Sequence, residues 1–131
     1  MGEEPESNDL RGRSMKNYDN FFLPATDLRK AIDFYHAVLG LPIKFDFSEK
    51  GMVAFTVGNQ EPALILKDIH KFPSAMPTIW FLVDDVETEY KRLKLMGLRF
   101  LSEPFQIDTG RAVEFEDPFG NRLGITDYSD A

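Results

Sequence analysis

Residues 21–45 read FFLPATDLRKAIDFYHAVLGLPIKF, and the chain states their plan twice. The aromatic run Tyr18–Leu23 reads as a short strand, ended by Pro24, which cannot donate to a sheet ladder. Asp27 then opens a helix. Leu28, Ala31, Ile32, Tyr35 and Val38 fall at helical spacing, and Gly40 stands where a left-handed C-terminal cap belongs. Strands follow at about 42–47, 52–57 and 62–67, broken by EKG and GNQEP. From residue 78 the order recurs. TIWFLV is a strand, and Asp84 with Glu87 three residues on resembles a helix capping box. Val86, Tyr90, Leu93 and Met96 make the apolar stripe, and Gly97 ends the helix. Strands are expected at about 98–102, 111–116 and 122–127. Asp27 to Gly40 spans thirteen steps, and Asp85 to Gly97 spans twelve. Each half is β-α-β-β-β, and neither can bury both its helix and its sheet face alone, so the two should pair.

The 131 residues suffice for one domain with a sizeable core, and twelve Phe make that core rich in rings. The absence of Cys excludes disulfides, a thiolate nucleophile, a Cys zinc site and iron–sulfur clusters. The longest apolar run, IWFLV, is too short to span a bilayer, and a cytoplasmic protein with no membrane partner is expected. A net charge of −7 argues against nucleic acid and permits a cationic ligand. Residues 1–14, MGEEPESNDLRGRS, are polar and lack periodicity. They read as a disordered leader or an expression tag, leaving 15–131 as one domain with modules at about 17–68 and 77–128.

The stretch 21–45, IWFLVDDVETEYKRLKLMG (79–97) and FEDPFGNRLGI (115–125), in that order on a duplicated plan, resemble the glyoxalase/bleomycin-resistance/dioxygenase family, the vicinal-oxygen-chelate superfamily. The resemblance runs from about Asn17 to Tyr128. It implies an α+β fold in which two β-α-β-β-β modules form a curved, incomplete mixed barrel around a cavity, helices outside. It also implies a homodimer. Enzymes of the family hold one divalent metal on His, Gln or Glu from the first and last strands of each half. The matching positions here are Asn20, Ile65, Thr78 and Gly124, none an imidazole or a carboxylate. Gly124 stands where the family usually has Glu, and a strand-interior glycine marks either a bulge or a close approach. The two histidines offer no replacement: His36 reads as a helix-surface residue and His70 as a loop residue. Asp19 neighbours Asn20 but by alternation points to the other face.

With the phase fixed by those positions, Asn20, Phe22, Thr78, Trp80, Leu82, Arg122, Gly124 and Thr126 face the cavity. The opposite parity is more apolar and suits helix packing. Phe22 and Trp80 would offer aromatic faces to a planar or cationic ligand. In strand 111–116, Val113 and Phe115 alternate with Glu114, which then looks into the cavity as a cation partner or general base. Arg111 would bind an anionic group or pair with Asp108 or Glu114. Asp117 belongs to the turn. The expected function is metal-free and cofactor-free binding of a small, partly aromatic molecule, in the manner of bleomycin-resistance proteins. The alternative is a metal-dependent lyase, isomerase or dioxygenase of the same superfamily, lactoylglutathione-lyase-like.

Overall fold

A computed structural model describes residues 15–130; the leader or tag read over 1–14 lies outside the described residues. Eight strands form one mixed, curled sheet, open at both ends, with two helical segments on its convex side. The first half contributes β1 (Asn17–Ala25), α1 (Leu28–Ile32), β2 (Ile43–Phe47), β3 (Met52–Phe55) and β4 (Ala63–Asp68). The second contributes β5 (Thr78–Leu82), α2 (Val86–Leu95), β6 (Phe105–Ile107), β7 (Gly110–Glu116) and β8 (Arg122–Thr126). The sheet order β2-β3-β4-β1-β5-β8-β7-β6 runs outward identically in the two halves from an antiparallel β1–β5 seam. β1 is parallel to β4, as β5 is to β8.

Each helix covers its own half. Leu28, Val53, Phe55 and Leu66 close the core under α1. Val83, Val86, Val113, Phe115 and Ile125 close the core under α2. The extra step in the first half has a structural cause. α1 passes at Asp33–Val38 into a π-helix, with the Leu39 N–H donating to Phe34 O at 2.9 Å. A π-turn absorbs added residues without breaking the helix. It also rotates the end of the stripe outward, so Val38 is exposed rather than packed. Met96 lies beyond the last turn of α2 and is exposed as well; Leu98 packs in its stead.

Several local expectations are corrected. β1 continues through Pro24, which aligns with Lys67 of β4. The β5 partnering has ended at Phe22, so proline falls where one flank is already an edge, a position that tolerates it. The α2 cap is Asp85, whose carboxylate accepts from Thr88 N (2.9 Å) and Thr88 Oγ1 (2.6 Å); Asp84 instead meets Lys16 on the surface. No strand forms over 98–102. Phe100 makes one bridge to Phe115 and turns its ring into the α2 core, and β6 forms later. Among the described residues no helix is long and apolar enough to cross a membrane.

A buried carboxylate ties α2 to the sheet. Asp127 accepts from Val86 N (2.7 Å), Arg111 N (2.8 Å), and both the backbone (3.1 Å) and hydroxyl (2.8 Å) of Ser129. Burial pushes its pKa up, but these donors outweigh it and hold the group below the usual carboxylate range.

Candidate functional site

Strand pairing lines up two rows of residues on the concave face. One runs Ala63, Asn20, Trp80, Gly124, Glu114; the next runs Ile65, Phe22, Thr78, Arg122, Glu116. The groove above them holds about 560 Å³. On the β4 side its floor is closed by Phe22, Phe45 and Met52 packing on Ala54, Ala63 and Ile65. A pocket of about 290 Å³ adjoins it and shares Phe22, Lys67, Phe72 and Glu114. A larger open hollow of about 1060 Å³ lies elsewhere, between the end of α2 and the 116–120 turn. It contains none of the residues of either row except Glu116.

Gly124 has a specific reason to lack a side chain. A Cβ at that position would stand 2.5 Å from Cε3 and Cζ3 of Trp80, so the indole lies on the glycine. Trp80 is buried, and its ring meets Phe22 at 5.4 Å between centroids. Under the internal duplication Phe22 and Trp80 are equivalent, as are their partners Ile65 and Gly124. The two rings therefore meet across the β1–β5 seam and fill the space between the halves.

The site also holds a cation that sequence reasoning passed over. The Lys67 ammonium lies 3.9 Å from the Phe22 ring centroid and 4.5 Å from that of Phe72. Burial lowers its pKa, opposed by the negative charge of Glu114. Glu114 itself accepts from Arg122 Nη1 at 3.0 Å in a largely buried ion pair. The aromatic face expected to be open to a cationic ligand is thus already covered by Lys67, and the carboxylate is already engaged.

Two placements differ from the sequence reading. Arg111 is not in the groove. It lies on the helix side of β7, where Nη2 donates to Glu87 Oε2 at 2.6 Å; neither Asp108 nor Glu114 is its partner. Asp19 is in the groove, because the β1–β5 register slips between Tyr18 and Asn20. Such a bulge puts two successive residues on one side. Asp19 accepts from Asn20 Nδ2 (2.7 Å) and from the Tyr128 hydroxyl (2.5 Å). Burial first, then Asp19, push the Tyr128 phenol up.

These donors do not fit a family-type divalent metal. Ile65 and Gly124 bring no ligand atom, and Thr78 Oγ1 donates to Met76 O at 2.8 Å. Asn20 Oδ1 is buried without a partner, but a single amide oxygen beside one carboxylate is a weak donor set. His36 and His70 are exposed; the His36 ring bonds Leu41 O, outside the groove. Among the described residues no three His, Cys, Asp or Glu cluster as ligands.

Residues 17–125 match the family profile described as the Glyoxalase/Bleomycin resistance protein/Dioxygenase superfamily. An uncharacterized protein of Bacillus subtilis (strain 168), YurT, is 29% identical over 115 residues, covering 76% of this chain and 89% of that one. Among solved structures, methylmalonyl-CoA epimerase from Mycobacterium tuberculosis superposes with a TM-score of 0.74 at 19% identity, covering 95% of each chain. A glyoxalase/bleomycin resistance protein/dioxygenase superfamily member from Vibrio splendidus 12B01 gives 0.64 at 19% identity, over 82% of this chain and 95% of that one. At such identities the likeness carries the fold alone.

Proposed function

The chain belongs to the Glyoxalase/Bleomycin resistance protein/Dioxygenase superfamily, and we propose that within it the protein binds a small, partly aromatic molecule in the groove of its sheet without a metal. The type is that of the drug-binding, bleomycin-resistance-like members. The observation that carries this reading is the contact of Trp80 with Gly124. An indole covers the place where a metal-binding carboxylate would project, and it offers an aromatic wall in exchange. At the floor of the groove, Trp80 Nε1 and Asn20 Oδ1 are buried without a partner among the described residues.

The metal-dependent lyase, isomerase or dioxygenase reading has less support, since Asn20, Ile65, Thr78 and Gly124 supply neither imidazole nor carboxylate. Metal analysis of protein purified without chelator separates the two. Well under one equivalent of zinc, nickel, iron or manganese is expected. Near-stoichiometric metal that is lost on Asn20→Ala or Asp19→Ala would sink the metal-free reading.

The proposal includes a homodimer. Its support is the convex centre of the sheet, where Tyr18 and Ile79 are 51% and 38% exposed and Tyr18 stacks on Phe81. Among the described residues α1 packs mainly on β3 and β4 and α2 on β7, to either side of that apolar strip.

A further inference from the structure

We infer that the ligand is an organic anion, whose carboxylate or phosphate head enters the pocket formed by Lys67, Arg122 and Lys71 while its apolar body lies against Phe22 and Trp80. The inference rests on the ligand-binding reading above and names the class of molecule that reading leaves open.

The charge balance of the pocket is the reverse of the chain's. The protein carries −7 overall, yet among the described residues the 290 Å³ pocket is lined by three cations, Lys67, Lys71 and Arg122, against one carboxylate, Glu114. That carboxylate accepts from Arg122 at 3.0 Å. Lys67 takes part in none of the ion pairs among the described residues; its ammonium rests between the rings of Phe22 and Phe72. Aromatic faces stabilise a desolvated ammonium only in part, and burial still depresses its pKa. An anion beside Lys67 would add to the partial counter-charge that Glu114 supplies. Arg122 adds a second positive charge to the same pocket, with its Nη1 holding Glu114.

A cationic ligand meets the opposite situation. Within this head pocket, as distinct from the Asp19 end of the groove, it would have to displace Lys67 from Phe22 or Arg122 from Glu114, and either exchange leaves a protein cation uncompensated in a half-buried pocket. The wall opposite, Pro73 to Met76, is contributed by the loop between β4 and β5, and Phe22 lines both the head pocket and the groove that continues to Trp80. A ligand touching both must be a molecule with a charged end and a flat apolar end.

The test is a matched panel: phenylacetate, phenyl phosphate, phenylacetamide and phenethylammonium, titrated by calorimetry against wild type, Lys67→Met and Lys67→Arg. The two anions should bind roughly ten- to a hundredfold tighter than the amide, the range for a charge-assisted hydrogen bond. Their relative affinity distinguishes a carboxylate from a phosphate head. Lys67→Met should remove that advantage and leave the amide unchanged, and Lys67→Arg should recover part of it. If the amide or the ammonium binds wild type as tightly as the anions, or if Lys67→Met weakens all four equally, the anion inference fails and the groove reading survives. If none of the four binds at millimolar concentration, both fail. Circular dichroism and a thermal melt of each variant establish that it is folded before affinities are compared.

Discussion

The indole of Trp80 lies on Gly124, so close that a β-carbon there would stand 2.5 Å from two ring atoms. The glycine and the tryptophan are one device: a strand-interior residue without a side chain makes room for a ring projected from the neighbouring parallel strand. Gly124→Ala should therefore destabilise the fold by about 1–3 kcal/mol, the cost of overpacking a filled site. It should also shift the emission of Trp80, the chain's one tryptophan. In a double-mutant cycle with Trp80→Ala the two losses should be strongly less than additive. Additive losses in denaturant melts would mean that the ring and the glycine do not constrain each other.

The duplicated plan was legible because it rests on local chemistry repeated at fixed spacing: Asp27 and Asp85 capping, Gly40 and Gly97 ending, strands alternating between. Alternation also brought Asn20, Phe22, Thr78, Trp80, Glu114, Arg122 and Gly124 to one face. Lys67 was within reach of the same reasoning: it lies two residues beyond Ile65 on its strand, where alternation returns it to the same face as Arg122. Arg111 has the parity of Val113, which already excluded it from the groove. Asp19 could not be read, because a bulge cancels alternation without a sequence signal of its own. Phe72 and Lys71 reach the pocket from a loop, where side-chain direction has no period. The buried bonds of Asp127 join residues up to 41 positions apart and leave no local trace.

Asp127 sets an acid limit on stability. Its folded pKa lies below the ordinary carboxylate value of roughly 3.9. A depressed carboxylate contributes stability that is fully present above its unfolded pKa and is lost as pH falls through the folded one. Unfolding midpoints should therefore be flat above about pH 5 in respect of this group and fall below about pH 4. Asp127→Ala leaves the Val86 and Arg111 amides buried without acceptors and should cost about 2–4 kcal/mol at neutral pH. It should also lessen the acid dependence. A variant as stable as wild type, or one with an unchanged acid profile, would remove Asp127 from this role.

Assembly has a direct test. If the apolar strip at Tyr18 and Ile79 is the homodimer contact, light scattering at micromolar concentration should give twice the chain mass, and Ile79→Asp should give the chain mass alone with the fold intact. A wild-type monomer would refute the dimer, and a dimer indifferent to Ile79→Asp would place its contact elsewhere, with the open edges β2 and β6 next to be tried.

Glu114 decides the sign of the groove. Its carboxylate is 27% exposed and its partner Arg122 15%, so the pair is held mostly out of water at 3.0 Å. Glu114→Gln keeps the shape and a weaker acceptor for Arg122 but removes the one negative charge in the head pocket. The fold should survive with a loss of about 1–2 kcal/mol, less than for a fully buried pair because solvent still reaches both partners. Among the described residues the pocket then carries three positive charges and no negative one. Lys67 loses the charge that opposes its desolvation, so its pKa should fall further in the empty protein. A bound anion restores that missing charge, and anions should bind the variant several-fold tighter than they bind wild type. Neutral analogues should be unaffected. Were the carboxylate itself the ligand partner, as a cation-binding groove requires, the same substitution would weaken the best ligand, and one titration series on wild type and Glu114→Gln distinguishes the two by the direction of the change.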